Sequence, residues 1–306
     1  MKTPVASDVL TDYLADVRAR VDAALARWGG GAGEDRVAEA IEYGLLGAGK
    51  RLRPTLLFAC FDAVRDRTER DSDGVAELAT AVEVVHAYSL VHDDLPCMDN
   101  DDLRRGRPTV HRAFDVATAT RAGFRMVPLA VRALARGMNI LALDAASQRA
   151  IALELLRAAG AGGMIGGQAL DLAAEGGAAG STDALIEIHE RKTGALIAAS
   201  CTIGARAAGA SARATDALRA YGARLGLAFQ IYDDVLDATG TSAQLGKTAG
   251  KDAARAKSTF VTLASVKDAR AEAERLAAAA VDRLRDGGLV SPVLAELAGY
   301  IVTRPN

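Results

Sequence analysis

The sequence predicts an all-α protein, a single-domain helical bundle closed around a central cavity. Three observations carry that expectation. Alanine and leucine dominate a chain of 306 residues in which aromatics make up only 4%, and β-branched runs are short, so propensity favours helix almost throughout. Glycine and small polar residues at 29–33, 67–74, 175–180 and 238–242 read as loops that cut the chain into helix-length pieces. None of these is long enough to be a domain linker. Two Asp-rich stretches about 140 residues apart would have to meet to share a site, so residues 1–306 are read as one domain.

The elements follow in order. Helices over 6–28 and 35–48 flank the first glycine-rich break, and 52–66 runs up to the second. The helix 74–94 is apolar with scattered polar groups and stops because Pro96 follows at once. Helices over 111–121, 125–140, 145–160 and 162–173 lead to the third break. Beyond it lie 182–190, 193–209 and 213–236, the last ending at the fourth break, and then 256–265, 267–286 and 291–303.

An apolar fraction of 50% with 25% charged residues is that of a globular protein with a sizeable core. The formal net charge of −2 gives no basic field, so nucleic acid is not an expected partner. Apolar stretches are broken by Arg, Asp or Glu before about 18 residues, and the first residues lack a signal pattern. No transmembrane segment and a cytoplasmic location are therefore expected. Cys60, Cys97 and Cys201 are odd in number and widely spaced, which argues against disulfides or a thiolate zinc site.

Function is written mainly in carboxylates. Asp93, Asp94 and Asp99 form one cluster, and Asp233, Asp234 and Asp237 the other. Such density repels itself unless a cation offsets it, and hard divalent ions such as magnesium prefer oxygen ligands shared with water and phosphate. Asp93 and Asp94 fall at a helix C-terminus, which already carries partial negative charge, with Asp99 returning from the loop. In the second cluster Asp233 and Asp237 are four apart on one helix face, whereas Asp234 points about 100° away. Asp233 is the better ligand, with Asp237 reaching through water. Asp101 and Asp102 fit a solvated acidic loop.

Basic residues supply the counterpart. Lys50, Arg51 and Arg53 precede Pro54, and Arg104, Arg105 and Arg107 follow the first cluster. Arginine offers a planar fork that matches phosphate oxygens, lysine a movable point charge. Lys192 with Thr193 adds a further cation and a hydroxyl, and Lys247, Lys251 and Lys257 follow the second cluster. Two lookalikes fail. Gly44-Leu45-Leu46-Gly47-Ala48-Gly49-Lys50 resembles a nucleotide-binding loop, but Arg51 replaces the required Ser or Thr and helix precedes it where a strand is needed. A calcium loop starting at Asp99 fails because Leu103 sits where an oxygen ligand belongs.

Several motifs in order resemble the trans-isoprenyl diphosphate synthases, in particular the short-chain bacterial farnesyl diphosphate synthases. They run from Gly49-Lys50-Arg51-Leu52-Arg53-Pro54 through His86 to Asp94, Arg104-Arg105-Gly106, Gly166-Gly167-Gln168, Lys192-Thr193 and Phe229 to Asp234, ending at Gly246-Lys247. The resemblance implies an isoprenoid-synthase bundle and a homodimer. An allylic diphosphate would be held by three magnesium ions, manganese being possible, while isopentenyl diphosphate binds without metal. It implies that Asp93 and Asp99 ligate two ions and Asp233 the third, with Asp94 and Asp237 in the same clusters. Arg104, Lys192, Gln230, Lys247 and Lys257 would hold the allylic diphosphate. Lys50, Arg53, His86 and Arg105 would hold isopentenyl diphosphate, with Gln168 also binding substrate. Lys192, Thr193 and Gln230 form the implied catalytic group, the last two shielding an allylic cation from water.

Tyr88 and Ser89 lie five and four residues before Asp93, roughly 6–8 Å deeper along the helix, and would form the tunnel floor. With the Pro96-Cys97 expansion, the resemblance implies a fifteen-carbon product. A longer-chain geranylgeranyl synthase and a non-catalytic regulatory subunit are the alternatives. One segment departs from the family pattern. Ala122-Gly123-Phe124-Arg125-Met126-Val127-Pro128 lacks the usual acidic residue, and Pro128 is expected to interrupt or kink a helix there.

Overall fold

A computed structural model describes residues 7–47, 49–174, 181–240 and 259–304. Four helices come first: α1 (Asp8–Gly30), α2 (Arg36–Leu45), α3 (Leu52–Asp62) and α4 (Glu69–Asp93). A short hairpin follows, in which β1 (Leu103–Arg104) runs antiparallel to β2 (Arg107–Pro108) with Arg104 opposite Arg107. Next are α5 (Val110–Ala113), α6 (Val116–Ile140), α7 (Ala145–Ala159), α8 (Met164–Ala173) and α9 (Thr182–His189). A π turn over Glu190–Gly194 joins α9 to α10 (Ala195–Ala207), and α11 (Ala212–Thr239) follows. Last come α12 (Phe260–Leu263), α13 (Val266–Asp286) and α14 (Pro292–Ile301). The all-α expectation holds.

Burial explains why α4 sits at the centre. Every position from Gly74 to Val85 is buried, so this helix has no solvent face. By length and composition alone it could cross a membrane, but Glu77 and Glu83 interrupt its apolar run and 78% of its apolar window is buried inside the protein. Its two acidic intruders are paired. Glu77 accepts from Trp28 Nε1 at 2.6 Å and from Arg27 and Arg136 at 3.1 Å each, and Glu83 accepts from Arg51 at 2.8 Å. Without those partners each buried carboxylate would cost several kcal/mol, on the order of 3–5.

Two apolar clusters share α3 and α10 as a common wall. Leu57, Phe58 and Phe61 of α3 and Leu196, Ala199 and Ile203 of α10 face the cluster built on α1, α4, α6 and α7. Leu56, Ala59 and Cys60 with Ile197, Cys201 and Ala205 face the cluster built on α11, α13 and α14. The helices that end in the two Asp clusters, α4 and α11, thus belong to opposite sides of that wall.

Three boundaries differ from expectation. Residues 67–74 are not a loop: α4 starts at Glu69, because Thr68 and Asp71 form a reciprocal capping box that satisfies two terminal amides. Helices expected at 111–121 and 125–140 are a short turn and one continuous helix, α6, whose N-cap Asp115 accepts from the Thr118 amide at 2.7 Å. Pro128 lies inside α6 without ending it. It occupies the exposed side, where the carbonyl it deprives of a donor is less costly than in a core. The expected loop at 175–180 and residues 256–258 of the helix expected at 256–265 fall outside the described residues, and the rest of that expected helix is a single turn, α12.

Replacing Thr68 with alanine removes one arm of the box that opens the central helix. Urea unfolding should show a loss of about 1 kcal/mol, with the slope of the transition unchanged.

Candidate active site

Two adjoining cavities lie where the C-terminal ends of α4 and α11 face each other. The polar one, about 370 Å³, is lined by Asp93, Asp99 and Asp101 on one side and Asp233, Asp234 and Asp237 on the other. The apolar one, about 300 Å³, is lined by Tyr88, Ser89, His92, Met98, Met164, Ile165 and Leu172 among others. Arg53, His86, Leu90, Asp93, Lys192 and Thr193 line both. Sequence-distant carboxylates therefore share one hollow.

The first cluster is shaped by the end of α4. Asp93 is its last residue and Asp94 its C-cap, and the loop folds back so that the Asp99 amide donates to the Asp93 carbonyl at 2.7 Å. Burial pushes the Asp93 carboxyl up to about 6, with repulsion from Asp99 and Asp94 adding to it and Lys192 opposing. Asp94 takes a different task. It is buried and clasped by Arg104, whose Nε and Nη2 donate to Oδ1 at 2.9 and 2.5 Å. It lines a separate small cavity with Arg105 and Arg107 rather than the polar hollow.

On α11, three aspartates also diverge. Asp233 pairs with Arg304, whose guanidinium lies 4.4 Å from the Phe229 ring centroid. Asp234 is buried, accepts from the Phe260 amide at 3.0 Å and lies 3.5 Å from His189 Nε2, so it ties α11 to α12 and α9. Asp237, one turn on from Asp233, lines the polar cavity.

Cations face these carboxylates. Arg53, Arg104, Arg105 and Lys192 line the polar cavity. Arg105 and Gly106 both have positive φ, 53° and 75°, the two-residue geometry of a tight hairpin turn, and strain at a non-glycine residue is tolerated there. The Arg53 Nε is buried with no hydrogen-bond partner among the described residues, and desolvation, with Arg105 adding, draws its pKa down to about 10. Gln168 likewise has both amide atoms buried and unpartnered. Burial and the charges of Arg53, Arg105 and Arg104 hold the His86 imidazole well below its usual pKa, so it is neutral at pH 7.

Other expected residues take defined places. Lys192 Nζ donates to Asp171 at 2.6 Å, and the Thr193 hydroxyl donates to Gln230 Oε1 at 2.9 Å. Both Lys192 and Thr193 sit in the π turn, a wide turn that recurs at functional sites. Helix α8 comes so close to that turn that a Cβ on Gly167 would lie 2.2 Å from the Lys192 amide nitrogen. Lys50 lies outside both linings, within electrostatic reach of Asp233, Arg304 and Arg105. Arg51 turns inward to Glu83 and Asp22, at 2.8 Å each. Lys247 and Lys257 fall outside the described residues.

A hard divalent cation fits this donor set. The facing groups are carboxylates, and burial has already raised the cost of ionising Asp93. Among the described residues, no three His, Cys, Asp or Glu side chains close into a complete cage. Ions held here would be completed by water and ligand oxygens, the usual habit of magnesium.

Three residues escaped the sequence reading. Asp171 sits three residues after Gln168, a spacing that places it on the same face of α8, and this was a usable signal. His189 and Arg304 gave none, since each meets its partner only through the tertiary fold.

With this geometry in hand, the chain belongs to the polyprenyl synthetase family, whose profile matches residues 34–296. It is 43% identical over 272 residues to the farnesyl diphosphate synthase of Escherichia coli (strain K12), covering 88% of this chain and 89% of that protein. It is 39% identical over 277 residues to the large subunit 1 of a chloroplastic heterodimeric geranylgeranyl pyrophosphate synthase from Arabidopsis thaliana, covering 89% and 73%. Among solved structures, an FPP/GFPP synthase from Zymomonas mobilis superposes with a TM-score of 0.81 at 35% identity, covering 96% and 98% of the two chains. A geranyltransferase from Helicobacter pylori complexed with magnesium and isoprenyl diphosphate gives 0.81 at 30%, covering 97% of each.

The raised Asp93 pKa has a sign that can be checked. Between 3.8 and about 6 the folded protein holds more protons than the unfolded chain, so stability falls as pH rises through that window. In metal-free protein, Asp93→Asn should raise stability above pH 6 by about 3 kcal/mol, and the gain should vanish near pH 4. Chemical denaturation with chelator present measures both.

Proposed function

We propose that the chain is a trans-prenyltransferase that condenses isopentenyl diphosphate head to tail with dimethylallyl or geranyl diphosphate to give farnesyl diphosphate. The observation that carries this is the meeting of Asp93, Asp99, Asp233 and Asp237 with Arg53, Arg104, Arg105 and Lys192 around one polar hollow that opens beside an apolar one. Diphosphates suit the first and an isoprenoid chain the second. The farnesyl diphosphate synthase relative supports the same reading.

Asp93, Asp99 and Asp233 would hold three magnesium ions, with Asp237 behind and Asp94 fixing Arg104 at the end of α4; manganese suits the same oxygens. Bound ions would neutralise negative charge that develops on the departing diphosphate. Arg104 and Lys192, with Lys247 and Lys257, grip that allylic diphosphate, and Lys50, Arg53, His86 and Arg105 grip isopentenyl diphosphate, with Gln168 at the junction. Unpartnered Arg53 Nε supplies a desolvated charge for an anion, and neutral His86 adds a hydrogen bond without further repulsion. Lys192, held by Asp171, would offset the charge that grows on the diphosphate oxygen as its bond to the allylic carbon breaks. Thr193 and Gln230, joined by their hydrogen bond, would position and shield the allylic cation and keep water away. The isopentenyl double bond attacks, and the released diphosphate accepts the proton lost from the new cation.

Tyr88 and Ser89 form the floor of the apolar cavity and limit the chain to fifteen carbons. Residues 1–306 act as one polyprenyl synthase domain in the cytoplasm, where the three free cysteines remain reduced. Phe124, Val127 and Val131 lie exposed along one side of α6, an apolar strip that a second copy in a homodimer would cover. A geranylgeranyl product is the second reading, favoured by the several plant relatives bearing that name at 38–40% identity.

Purified protein with magnesium, radiolabelled isopentenyl diphosphate and either allylic diphosphate should yield farnesyl diphosphate, and chelation should abolish turnover. A twenty-carbon main product would favour the second reading, and no prenyl product with either substrate would favour a regulatory subunit. Tyr88→Ala should move the main product to twenty carbons or more; an unchanged product removes Tyr88 from length control.

A further inference from the structure

The floor of the apolar cavity is backed by more than one ring. Tyr88 and His92 are one helical turn apart on the same face of α4, and their ring centroids stand 4.8 Å apart at 64°. On its far side the His92 ring meets Phe124 of α6 edge to face, 5.3 Å away at 89°. Tyr88 and His92 both line the cavity, whereas Phe124 is 64% exposed on the outer side. Three rings therefore run from the hollow to the surface.

His92 is held at two further points. Its Nε2–H donates to the Thr120 carbonyl at 3.1 Å. A Cβ on Gly123 would come within 2.0 Å of that same nitrogen, so α6 offers the imidazole a seat only because residue 123 has no side chain. A helical tyrosine chooses between two χ1 wells, and the neighbour one turn away decides which is open. The ring on that side of Tyr88 is His92, and His92 is pinned from α6.

We propose that His92 is a positioning residue for product length. Seated on Gly123 and tethered to Thr120, it fixes the rotamer in which Tyr88 closes the cavity floor. The inference rests on the reading of Tyr88 as the floor, and it makes length control a property of the α4–α6 contact rather than of one side chain. Without the imidazole, the Tyr88 ring swings into the vacated space and the floor opens.

The test compares Tyr88→Ala, His92→Ala, Gly123→Ala, His92→Gln and the Tyr88→Ala/His92→Ala double variant. The readout is the ratio of twenty-carbon and longer products to fifteen-carbon product, which a general loss of turnover beside Asp93 does not move. His92→Ala should raise the ratio about tenfold, and Gly123→Ala, which displaces the ring without deleting it, should do the same even if the first variant fails to fold. His92→Gln, which keeps bulk and a donor for Thr120, should stay close to the parent ratio. In the Tyr88→Ala background, His92→Ala should add less than about twofold. If Tyr88→Ala lengthens the product while His92→Ala and Gly123→Ala leave the ratio unchanged, the positioning role falls and the floor reading stands. Additive effects in the double variant overturn the role too, because His92 would then act independently of Tyr88. If Tyr88→Ala leaves the ratio unchanged, the floor reading fails and takes this inference with it.

Discussion

Like charges gathered at the end of a helix oppose folding, and the architecture around α4 and α11 is organised by the need to offset them. Asp93 stands at the negative end of the α4 dipole, where burial above all, with Asp99 and Asp94 adding to it, makes its carboxyl resist ionisation. Across the hollow, Asp233 pairs with Arg304, and Asp233 and Asp237 share the cavity wall with Arg53, Arg105 and Lys192. Neither set could stand there alone. Each carboxylate is tolerable because cations face it, and each buried guanidinium because carboxylates or an incoming anion face it. A ligand that carries both diphosphate and divalent ions completes the balance instead of disturbing it.

Helical geometry converts repeated residues into different tools. Asp93 looks into the polar cavity while Asp94, one step of about 100° further round, clasps Arg104. Asp233 faces the hollow and is paired with buried Arg304, while Asp234 is buried against Phe260 and His189 and braces the neighbouring helices. Arg53 points to the site while Arg51 goes to Glu83 in the core. In each pair one member is turned to the cavity and the other is tied into the surrounding structure, so exchanging one for the other would not be conservative in effect.

The fold class and the presence of an acidic centre could be read from the chain because they depend on local signals: alanine-rich helices, glycine breaks and dense carboxylates. Boundaries failed where one local signal competed with another. At residues 67–74 the charged and glycine-containing stretch suggested a loop, but the Thr68 and Asp71 box was the stronger instruction. At Pro128 a rule about helix interiors gave way because the residue falls on the exposed side of α6. What no local reading could deliver were contacts across the fold. Arg304 reaching Asp233, His189 beside Asp234 and the inward turn of Arg51 depend on where distant helices end. Asp171 is intermediate, since its spacing from Gln168 was visible and its partner Lys192 was not.

The π turn at Glu190–Gly194 gives the chain one residue more than an α-helix would need between α9 and α10. That wider turn absorbs the extra residue locally, so α9 and α10 keep close to the mutual orientation of an unbroken helix while the backbone at Lys192 and Thr193 is pushed out of the ordinary helical path. His189 can therefore stay on Asp234 at one end of the turn while Lys192 and Thr193 line the cavity from its middle. Losing one residue here would leave the two helices nearly in place and flatten only the bulge, so the damage would fall on the cavity wall and not on the bundle.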